Sequence, residues 1–376
     1  MKAFIKKNQD GLFQTLRELC AIPAPSGAEK ARATYCKQWL EKIGATGVYT
    51  DQACNVILPI NCEKSNCITV FAAHMDTVFP DTEAMPYTDD GIYIRSPGVG
   101  DNTASLAILL YVAKYFIEKN IHPAGGVLFV CNSCEEGLGN LLGVKQLFKD
   151  YEGRIARFIT FDSQFESIVD TCVGSHRYEV EVLTEGGHSY AAFGNRNAIA
   201  ELAKIVTAVY ATEIPHMENS KTTYNIGNIC GGTSVNTIAQ SAKMLCEYRS
   251  DREECLAAMK TRFHQIFDEA KAQGVNIGVS LIGERPCMGH VDPQEIRRLY
   301  ELCRNTIEDI ACVKVRGQSG STDCNIPLSL GVPALCIGVY NGGGSHTREE
   351  WVEKASLPLG LEIGIKVSLD ISHLSV

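Results

Sequence analysis

The first part of the chain alternates between amphipathic stretches and short, continuously apolar runs. Residues 10–20 and 27–43 have the apolar spacing of surface helices, and the stretch at 103–120 predicts a longer, more buried helix. Buried strands are predicted by three runs rich in β-branched residues: CITVFAAHMD, GGVLFVCNS and ARFITFD. Strands alternating with helices in this way indicate an α/β domain, whose sheet is mostly parallel and carries helices on both faces.

A different pattern begins near Gly174. HRYEVEVL alternates apolar and charged residues, as a half-exposed strand does. A helix, two strands, a second helix and a last strand follow, which is the β-α-β-β-α-β order of a ferredoxin-like α+β unit on an antiparallel sheet. The buried-strand pattern then returns with PALCIGVY. We therefore predict one domain formed by residues 1–174 and 285–376, with residues 175–284 inserted into it as a second domain.

Length and composition agree with two globular domains and exclude some partners. A chain of 376 residues exceeds the usual size of a single core. The net charge of -9, without a local basic run, argues against a nucleic-acid partner. The N-terminus lacks a signal-peptide pattern, and the longest apolar run, near 104–113, is too short to cross a membrane. We expect a cytoplasmic protein whose 16 scattered cysteines are mostly buried free thiols.

The segment CNSCEEGLGN, at residues 131–140, contains two pairs that could carry chemistry. Cys131 and Cys134 form a C-x-x-C pair, which is typical of redox and zinc elements. A redox pair would be expected at a helix N-terminus, where the helix dipole lowers a thiol pKa, but this one closes a predicted buried strand. The adjacent carboxylates Glu135 and Glu136, at the end of that strand, are the more informative pair.

Ionisable residues lie near the ends of other predicted elements as well. His74 and Asp76 are two apart on a predicted strand, so both side chains should point to the same face. A metal-binding histidine commonly donates its second ring N–H to a carboxylate. A histidine buried in the core is the alternative for this pair. Asp101, in SPGVGDNTAS, precedes the helix at 103–120, where an aspartate is ordinarily an N-cap.

The placement of these residues at the ends of predicted elements suggests that they belong to one site. Glu135-Glu136, Asp162 and His346 also lie at or beyond the ends of apolar strands, and ligands of open α/β sheets bind at that carboxyl edge. Two histidines with several carboxylates suit divalent metals. Three ligating carboxylates balance two Zn²⁺ ions and a hydroxide, and two adjacent metals can activate one water and polarise one carbonyl. A further, non-ligating carboxylate could act as general base.

At this point the sequence resembles a known family, the co-catalytic zinc amidohydrolases. The family includes peptidase T, carboxypeptidase G, aminoacylases, acetylornithine deacetylase and succinyl-diaminopimelate desuccinylase. The resemblance rests on HMD, GVGDN, EEG, the strand-end Asp162 and SHT, which occur in the family's order from residue 74 to 350. The inserted β-α-β-β-α-β unit is similar to the family's lid, which commonly mediates dimerisation. The segments around GVGDN and EEG are most similar to peptidase T-like members.

The resemblance implies a set of two zinc ions per chain, with Mn²⁺ or Co²⁺ as alternatives. By this resemblance Asp101 bridges both metals, and the peptide bond that follows it is cis. His74 and Asp162 complete one site, while Glu136 and His346 complete the other.

Other roles also follow from the resemblance alone. Asp76 would orient His74, and Glu135 would be the general base that deprotonates the attacking water and later protonates the leaving amine. In the lid, His188 would reach into the partner subunit of a homodimer and stabilise the oxyanion there. Asn236 would be a second residue contributed to the partner subunit's site.

Like Asn236, two further residues are candidates for substrate contact. The resemblance implies that Arg249, in LCEYRSD, binds a substrate carboxylate, a task that suits a guanidinium. A surface charge on a strand is the alternative for this arginine. The loop GSTDCNIP, which contains Ser321, is a candidate substrate-contact loop.

The sequence thus predicts an enzyme that hydrolyses an amide bond, and it leaves the acyl group open. We favour a small peptide, because of the peptidase T-like segments, over an N-acyl amino acid. Aminopeptidase and carboxypeptidase activity both remain open. Two alternatives from other classes are a C-x-x-C redox protein and a non-catalytic metal-binding protein, although the latter would be expected to have lost Glu135 or a ligand.

Overall fold

The computed structural model describes residues 1–218 and 220–374, and the chain divides into two compact units. The larger unit comprises Met1–Cys172 and Gly289–Val376, and the inserted unit comprises Val173–Met288. The junctions therefore lie at 172/173 and 288/289, compared with 174/175 and 284/285 in our sequence-based division.

The N-terminal part of the larger unit begins with two helices and then alternates strands and helices. Its helices are α1 (Lys2–Cys20), α2 (Lys30–Lys42), α3 (Ser105–Glu118) and α4 (Leu142–Asp150). Its strands are β1 (Tyr49–Thr50), β2 (Val56–Ile60), β3 (Ile68–His74), β4 (Thr88–Asp89), β5 (Tyr93–Arg95), β6 (Gly126–Asn132), β7 (Ile155–Phe161) and β8 (Ser167–Cys172). An irregular helical turn, Val99–Ala104, leads into α3, and a 3₁₀ turn, Gly137–Gly139, precedes α4.

The inserted unit is a ferredoxin-like α+β fold, as the pattern predicted. Its strands are β9 (Gly174–Leu183), β10 (Gly187–His188), β11 (Thr222–Gly231), β12 (Thr237–Ile238), β13 (Ser241–Ser250) and β14 (Asn276–Arg285), and its helices are α5 (Ala198–Tyr210) and α6 (Glu253–Ala272). The long strands form an antiparallel sheet in the order β11-β13-β9-β14. Apolar side chains of both helices, such as Leu202 and Phe263, pack against this sheet in a core of their own.

The chain then returns to the larger unit. This last part contains α7 (Pro293–Ala311), β15 (Arg316–Gly320), α8 (Asn325–Ser329), β16 (Ala334–Ile337), β17 (Gly342–Gly343), β18 (Trp351–Glu353) and α9 (Ser356–Ser372).

The main sheet of the larger unit has eight strands in the order β1-β2-β6-β3-β7-β16-β8-β15. Its four central strands, β6, β3, β7 and β16, are mutually parallel, whereas β2 and β8 join them in antiparallel fashion. The predicted fold class, a mostly parallel α/β sheet with an inserted α+β unit, is confirmed. Since the central strands are parallel, their carboxyl ends lie at one edge.

Helices cover both faces of this sheet. Side chains of a strand alternate between the two faces, so Phe129 and Phe158, which differ by one register position, point to opposite sides. Phe116 of α3 packs edge-on against Phe129, with ring centroids 5.1 Å apart. Phe148 of α4 packs against Phe158 on the other face, at 6.1 Å. Burial on both faces explains why these strands read as continuous apolar runs.

Candidate metal centre

Three adjacent strands end beside one another, and the first candidate ligands lie at or just after these strand ends. In the parallel pair β3 and β6, His74 is aligned with Asn132, so both strands end at the same level. Asp162 follows β7 directly, on the other side of β3. The loop after β6 carries Glu135 and Glu136. The carboxyl ends of the parallel strands therefore meet at one edge of the sheet, as the sequence analysis expected, and these residues lie along that edge.

One group of candidate ligands consists of His74, Asp101 and Asp162, whose ligand atoms all lie within 4.8 Å of one another. Nε2 of His74 is 3.2 Å from Oδ1 of Asp101 and 3.9 Å from Oδ2 of Asp162. Among the described residues this buried Nε2 has no hydrogen-bond partner. A buried ring nitrogen facing two carboxylates, without a hydrogen bond of its own, is a suitable ligand for a cation.

A second group consists of Asp101, Glu136 and His346. Nε2 of His346 lies 3.1 Å from Oδ2 of Asp101 and 3.2 Å from Oε1 of Glu136. His346 follows β17 on an exposed loop, with 57% of its side chain accessible, while Glu136 is buried. This group is therefore open to solvent on the histidine side.

Asp101 belongs to both groups. Its two carboxylate oxygens face different histidines, Oδ1 towards His74 and Oδ2 towards His346. The peptide bond from Asp101 to Asn102 is cis, and both residues have non-helical backbone angles. The N-cap of α3 is Ala104, which makes no side-chain capping bond, so Asp101 is not the helix cap that its position allowed.

The charges of these groups call for a cation. Burial raises the pKa of Glu136 to about 7, and Asp101 adds to this shift. Burial also raises the pKa of Asp162 well above its usual range, again with a contribution from Asp101. Hydrogen bonds to Asp101 and Glu136 raise the pKa of His346 to about 11. Carboxylates that compete for protons and draw a histidine into the charged form are the expected environment for divalent cations, and the donor set of imidazole and carboxylate fits them.

Asp76 lies beyond the end of β3, not on the strand as the H-x-D spacing suggested. Nδ1 of His74 is 3.1 Å from the backbone carbonyl of Asp76 and 3.4 Å from its Oδ1, so the carbonyl makes the closer contact. The carboxylate accepts hydrogen bonds from the backbone N–H groups of Glu135, at 3.0 Å, and Glu136, at 2.8 Å. Asp76 thus ties the end of β3 to the loop after β6.

Glu135 is buried, and its carboxylate forms a third group of closely spaced ligand atoms with His74 and Glu136. Glu136 also belongs to a group with Asp101, whereas the groups that contain Glu135 do not include Asp101. This difference favours Glu136 as the ligand of a pair bridged by Asp101, and it leaves Glu135 beside the pair.

Two buried carboxylates that sequence reasoning did not single out support the centre. Oε1 of Glu350 accepts from the backbone N–H groups of Gly100, at 2.9 Å, and Asp101, at 2.7 Å, and Oε2 accepts from Gly98 at 2.7 Å. Asp323, two residues after the candidate Ser321, accepts a hydrogen bond of 2.8 Å from Asn132. Both residues lie in or near motifs noted in the sequence, Glu350 shortly after SHT and Asp323 within GSTDCNIP. Their hydrogen-bond partners can be identified only from the structure.

The C-x-x-C pair lacks the environment of a redox site. Cys131 and Cys134 are free and buried. A hydrogen bond with the Cys36 thiol, together with burial, raises the pKa of Cys131 well above its usual range, and burial raises that of Cys134 to about 12. Reactive thiols have lowered pKa values, so these cysteines behave as packing residues.

The candidate residues of the inserted unit have contacts that are mostly local. His188 of β10 pairs with Thr237 of β12, and the backbone N–H of the next residue, Ser189, donates to the carbonyl of Asn236 at 2.9 Å. His188 and Asn236 are therefore neighbours, and both are exposed. Arg249 of β13 makes a two-pronged ion pair with Glu247, at 2.8 and 3.0 Å.

None of the helices in the described parts of the chain combines the length and the apolarity that a membrane crossing requires.

Comparison with known proteins agrees with this fold and adds the family. The structure of the aminopeptidase PepT of Bacillus cereus has a TM-score of 0.72 and is 22% identical, covering 96% of this chain and 98% of its own. A Bacillus subtilis protein described as a dinuclear metal binding peptidase of the M20 family has a TM-score of 0.63 at 15% identity, with 99% of both chains covered. A putative succinyl-diaminopimelate desuccinylase of Mycobacterium tuberculosis is 22% identical over 349 residues, which are 92% of this chain and 94% of the relative.

The family resemblance drawn from the motifs is confirmed. The model of peptidase family M20/M25/M40 matches residues 70–369, so this chain belongs to that family of metal-dependent peptidases and related hydrolases.

Proposed function

We propose that this protein is a two-metal hydrolase that cleaves an amide bond in small peptides. The observation that carries the proposal is the position of Asp101, whose two oxygens lie 3.2 and 3.1 Å from the ring nitrogens of two different histidines. A carboxylate in this position can bind two cations at once. A single-metal site would need neither the second histidine nor the second group of carboxylates.

The proposed ligands are His74 and Asp162 for one ion, Glu136 and His346 for the other, and Asp101 for both. We propose two Zn²⁺ ions per chain, with Mn²⁺ and Co²⁺ as the alternatives, since imidazole and carboxylate accommodate all three metals. Metal ions held by these residues would supply polarisation of the scissile carbonyl and a lowered pKa of a bound water.

Glu135 is the proposed general base. Its carboxylate accepts a proton from the attacking water as the new C–O bond forms, and it then delivers that proton to the amide nitrogen as the C–N bond breaks. One water is consumed, and a carboxylate and an amine are produced. The support for this role is the position of Glu135 among His74 and Glu136 in a buried setting, outside the groups that contain Asp101.

A small peptide is the proposed substrate, and the likeness in fold to an aminopeptidase PepT supports it. An N-acyl amino acid is the alternative, supported by the relative described as a putative desuccinylase, which removes an acyl group. In both cases Arg249 is proposed to bind a substrate carboxylate, and Ser321 to lie in a loop that contacts the substrate. Di- and tripeptides tested against N-acyl amino acids, each with zinc, manganese and cobalt, distinguish these alternatives.

The proposed assembly is a homodimer formed through the inserted unit, in which His188 and Asn236 serve the partner's centre. Support comes from β11, which is an edge strand of its sheet and carries Ile229 with 56% of its surface exposed. Edge strands of this kind are templates for pairing with another chain. Mixed His188→Ala and Glu135→Gln subunits should recover part of the activity that each variant lacks alone. A mixture as inactive as its components would contradict the exchange.

The direct test of the function is Glu135→Gln. This variant should retain two ions per chain, measured by elemental analysis, and should lose most of kcat, roughly 10²- to 10⁴-fold, because the proton acceptor is gone. The exposed Glu152, on the surface of the same unit, provides a matched control as Glu152→Gln, with unchanged kcat. Full activity in Glu135→Gln would refute its role as base, and one ion or none in the wild-type protein would refute the two-metal site.

A further inference from the structure

The segment Ala24–Glu29, between α1 and α2, contacts the loop that carries Glu135. It precedes residues 70–369, the region that matches the family model, so the match says nothing about it. The segment runs parallel to the chain beyond β3, where Pro25 forms a bridge with Thr77 and the carbonyl of Ala24 accepts from the N–H of Thr77 at 2.9 Å. Its polar side chains are thereby brought to the carboxyl edge of the sheet.

Ser26 connects this segment to Asp76 and Glu136. Its hydroxyl donates to Oδ2 of Asp76 at 2.6 Å. Oγ of Ser26 also lies 3.2 Å from the backbone carbonyl oxygen of Glu136. Oδ2 of Asp76 is also the acceptor of the Glu136 N–H. Ser26 therefore fixes the orientation of the carboxylate that holds the backbone of both glutamates.

Glu29 makes the second connection. It is 3% exposed, and its Oε1 accepts from the backbone N–H of Gly27 at 2.8 Å and from the backbone N–H of Cys134 at 3.0 Å. Gly27 has a φ of +83°, which favours glycine, and Cys134 has a φ of +58°, which is uncommon for a residue with a side chain. One carboxylate oxygen thus holds together two turns of unusual conformation from distant parts of the chain.

The result is a continuous row of restrained amides. The backbone N–H groups of Cys134, Glu135 and Glu136 each donate to a buried carboxylate: the first to Glu29, and the next two to the oxygens of Asp76. These bonds fix the backbone from which the Glu135 side chain extends, and so restrict the positions that its carboxylate can reach. Displacement of a catalytic group by about 1 Å can lower a rate by about 10²-fold.

We propose that Ser26 and Glu29 are positioning residues for the general base Glu135, acting through the backbone of residues 134–136. The inference rests on the proposed function in that Glu135 is taken as the base. It assigns to the N-terminal segment a part in catalysis that requires neither metal ligation nor substrate contact by the segment's own side chains.

The test compares truncated and conservative variants at both positions. The same bonds also hold the backbone of Glu136, so the variants are measured at saturating metal. Ser26→Ala and Glu29→Ala should then each lower kcat by roughly 10- to 100-fold, with KM and the number of bound ions unchanged. Ser26→Thr keeps the hydroxyl and Glu29→Gln keeps a carbonyl acceptor, so both should recover most of the loss. Lys30→Ala, an exposed change in the first turn of α2, is the matched control and should behave as wild type.

A purely structural role predicts a different result. If these residues only stabilise the fold, Ser26→Ala and Glu29→Ala lower Tm while the folded fraction keeps the wild-type kcat, and the proposal is wrong. Loss of activity in proportion to loss of metal would also overturn it. Should Glu29→Ala fail to fold, Ser26→Ala alone decides, because it removes a single hydroxyl.

A double-variant comparison separates this inference from the proposed function. In the Glu135→Gln background, Ser26→Ala should have no further effect on kcat, since the group that it positions is already absent. If Glu135→Gln is fully active, Glu135 is not the base, and the proposed function is contradicted whatever the Ser26 and Glu29 variants show. If Glu135→Gln is inactive but Ser26→Ala and Glu29→Ala retain wild-type kcat, the positioning role alone fails.

Discussion

The candidate metal ligands and the candidate residues of the inserted unit are held in different ways. The loops that carry Asp101 and Glu136 are restrained by buried carboxylates far away in the sequence, Glu350 and Asp76. The contacts of His188 and Asn236 are made within one exposed region, and Arg249 pairs with a residue two positions away. The first set is fixed by long-range bonds to buried groups, and the second by local bonds that solvent can reach.

Because of this difference, substitutions in the two sets should change different measured quantities. A ligand set held rigidly by buried partners is preorganised for metal, so changes there should act on metal affinity and on kcat. Arg249 has a local partner that solvent can reach, so it can exchange that partner for a substrate, and its removal should act on KM. A variant of one set that produced the effect expected of the other would break the distinction.

Asp101→Asn should have the largest effect. The amide has one oxygen acceptor where the carboxylate had two, so it cannot serve both histidine-containing groups. We expect kcat/KM to fall at least about 10³-fold and the metal content to drop to one ion or fewer, measured after gel filtration. Asp10→Asn, an exposed change on α1, is the control. Two ions and wild-type activity in Asp101→Asn would remove the basis of the two-metal proposal.

Glu350→Gln should have the next largest effect. Its carboxylate accepts three backbone N–H groups, and an amide would present an N–H₂ donor to at least one of them. The loop of Asp101 then loses part of its support, and metal affinity should fall roughly 10- to 100-fold in a competition assay with a chelator. Saturating metal should restore much of the activity. The exposed neighbour Glu349→Gln should have wild-type affinity, and equal affinities in both variants would contradict a supporting role for Glu350.

Arg249→Ala should leave the metal content unchanged and raise KM. A charged hydrogen bond contributes about 1.5–3 kcal/mol, so KM should rise roughly 10- to 100-fold for a peptide with a free C-terminal carboxylate. The same peptide with an amidated C-terminus is the matched control, since it has no carboxylate to lose. An equal rise in KM for both peptides would show that Arg249 acts only through its pair with Glu247.

Sequence patterns predicted the main elements because burial leaves a periodic signal. The runs ending near His74 and Asp162 are apolar along their whole length, as expected for strands covered on both faces. The signal failed at the ends of helices. The helix predicted from residue 103 begins at Ser105, because Val99–Ala104 form an irregular turn. The first turns of α1 were missed because the KKNQD stretch carries few apolar residues.

Candidate ligands could be found because they are chemically distinctive and lie at strand ends. Their supporting residues could not be found in this way. Glu29 and Glu350 are ordinary glutamates in sequence, and their roles arise from bonds to backbone amides more than a hundred residues away. Asp76 was predicted to orient His74, and its Oδ1 lies 3.4 Å from Nδ1 of His74, but its bonds to the backbone of Glu135 and Glu136 were not predicted. Such contacts depend on which loops the fold brings together, and periodicity carries no information about that.

The smallest predicted effect is a response of the inserted unit to pH. Burial lowers the pKa of His176, although the carboxylate of Glu284, 2.9 Å away, opposes this shift. Between the folded-state pKa and the ordinary value of about 6.5, the unfolded chain binds a proton that the folded unit does not, so stability falls as pH decreases through this range. Hydrogen exchange of residues 174–183 should quicken below pH ~6.5, after correction for intrinsic rates, and His176→Gln should lessen the change. His216→Gln, an exposed histidine of the same unit, should not lessen it, and an equal response in both variants would assign the pH dependence to other groups.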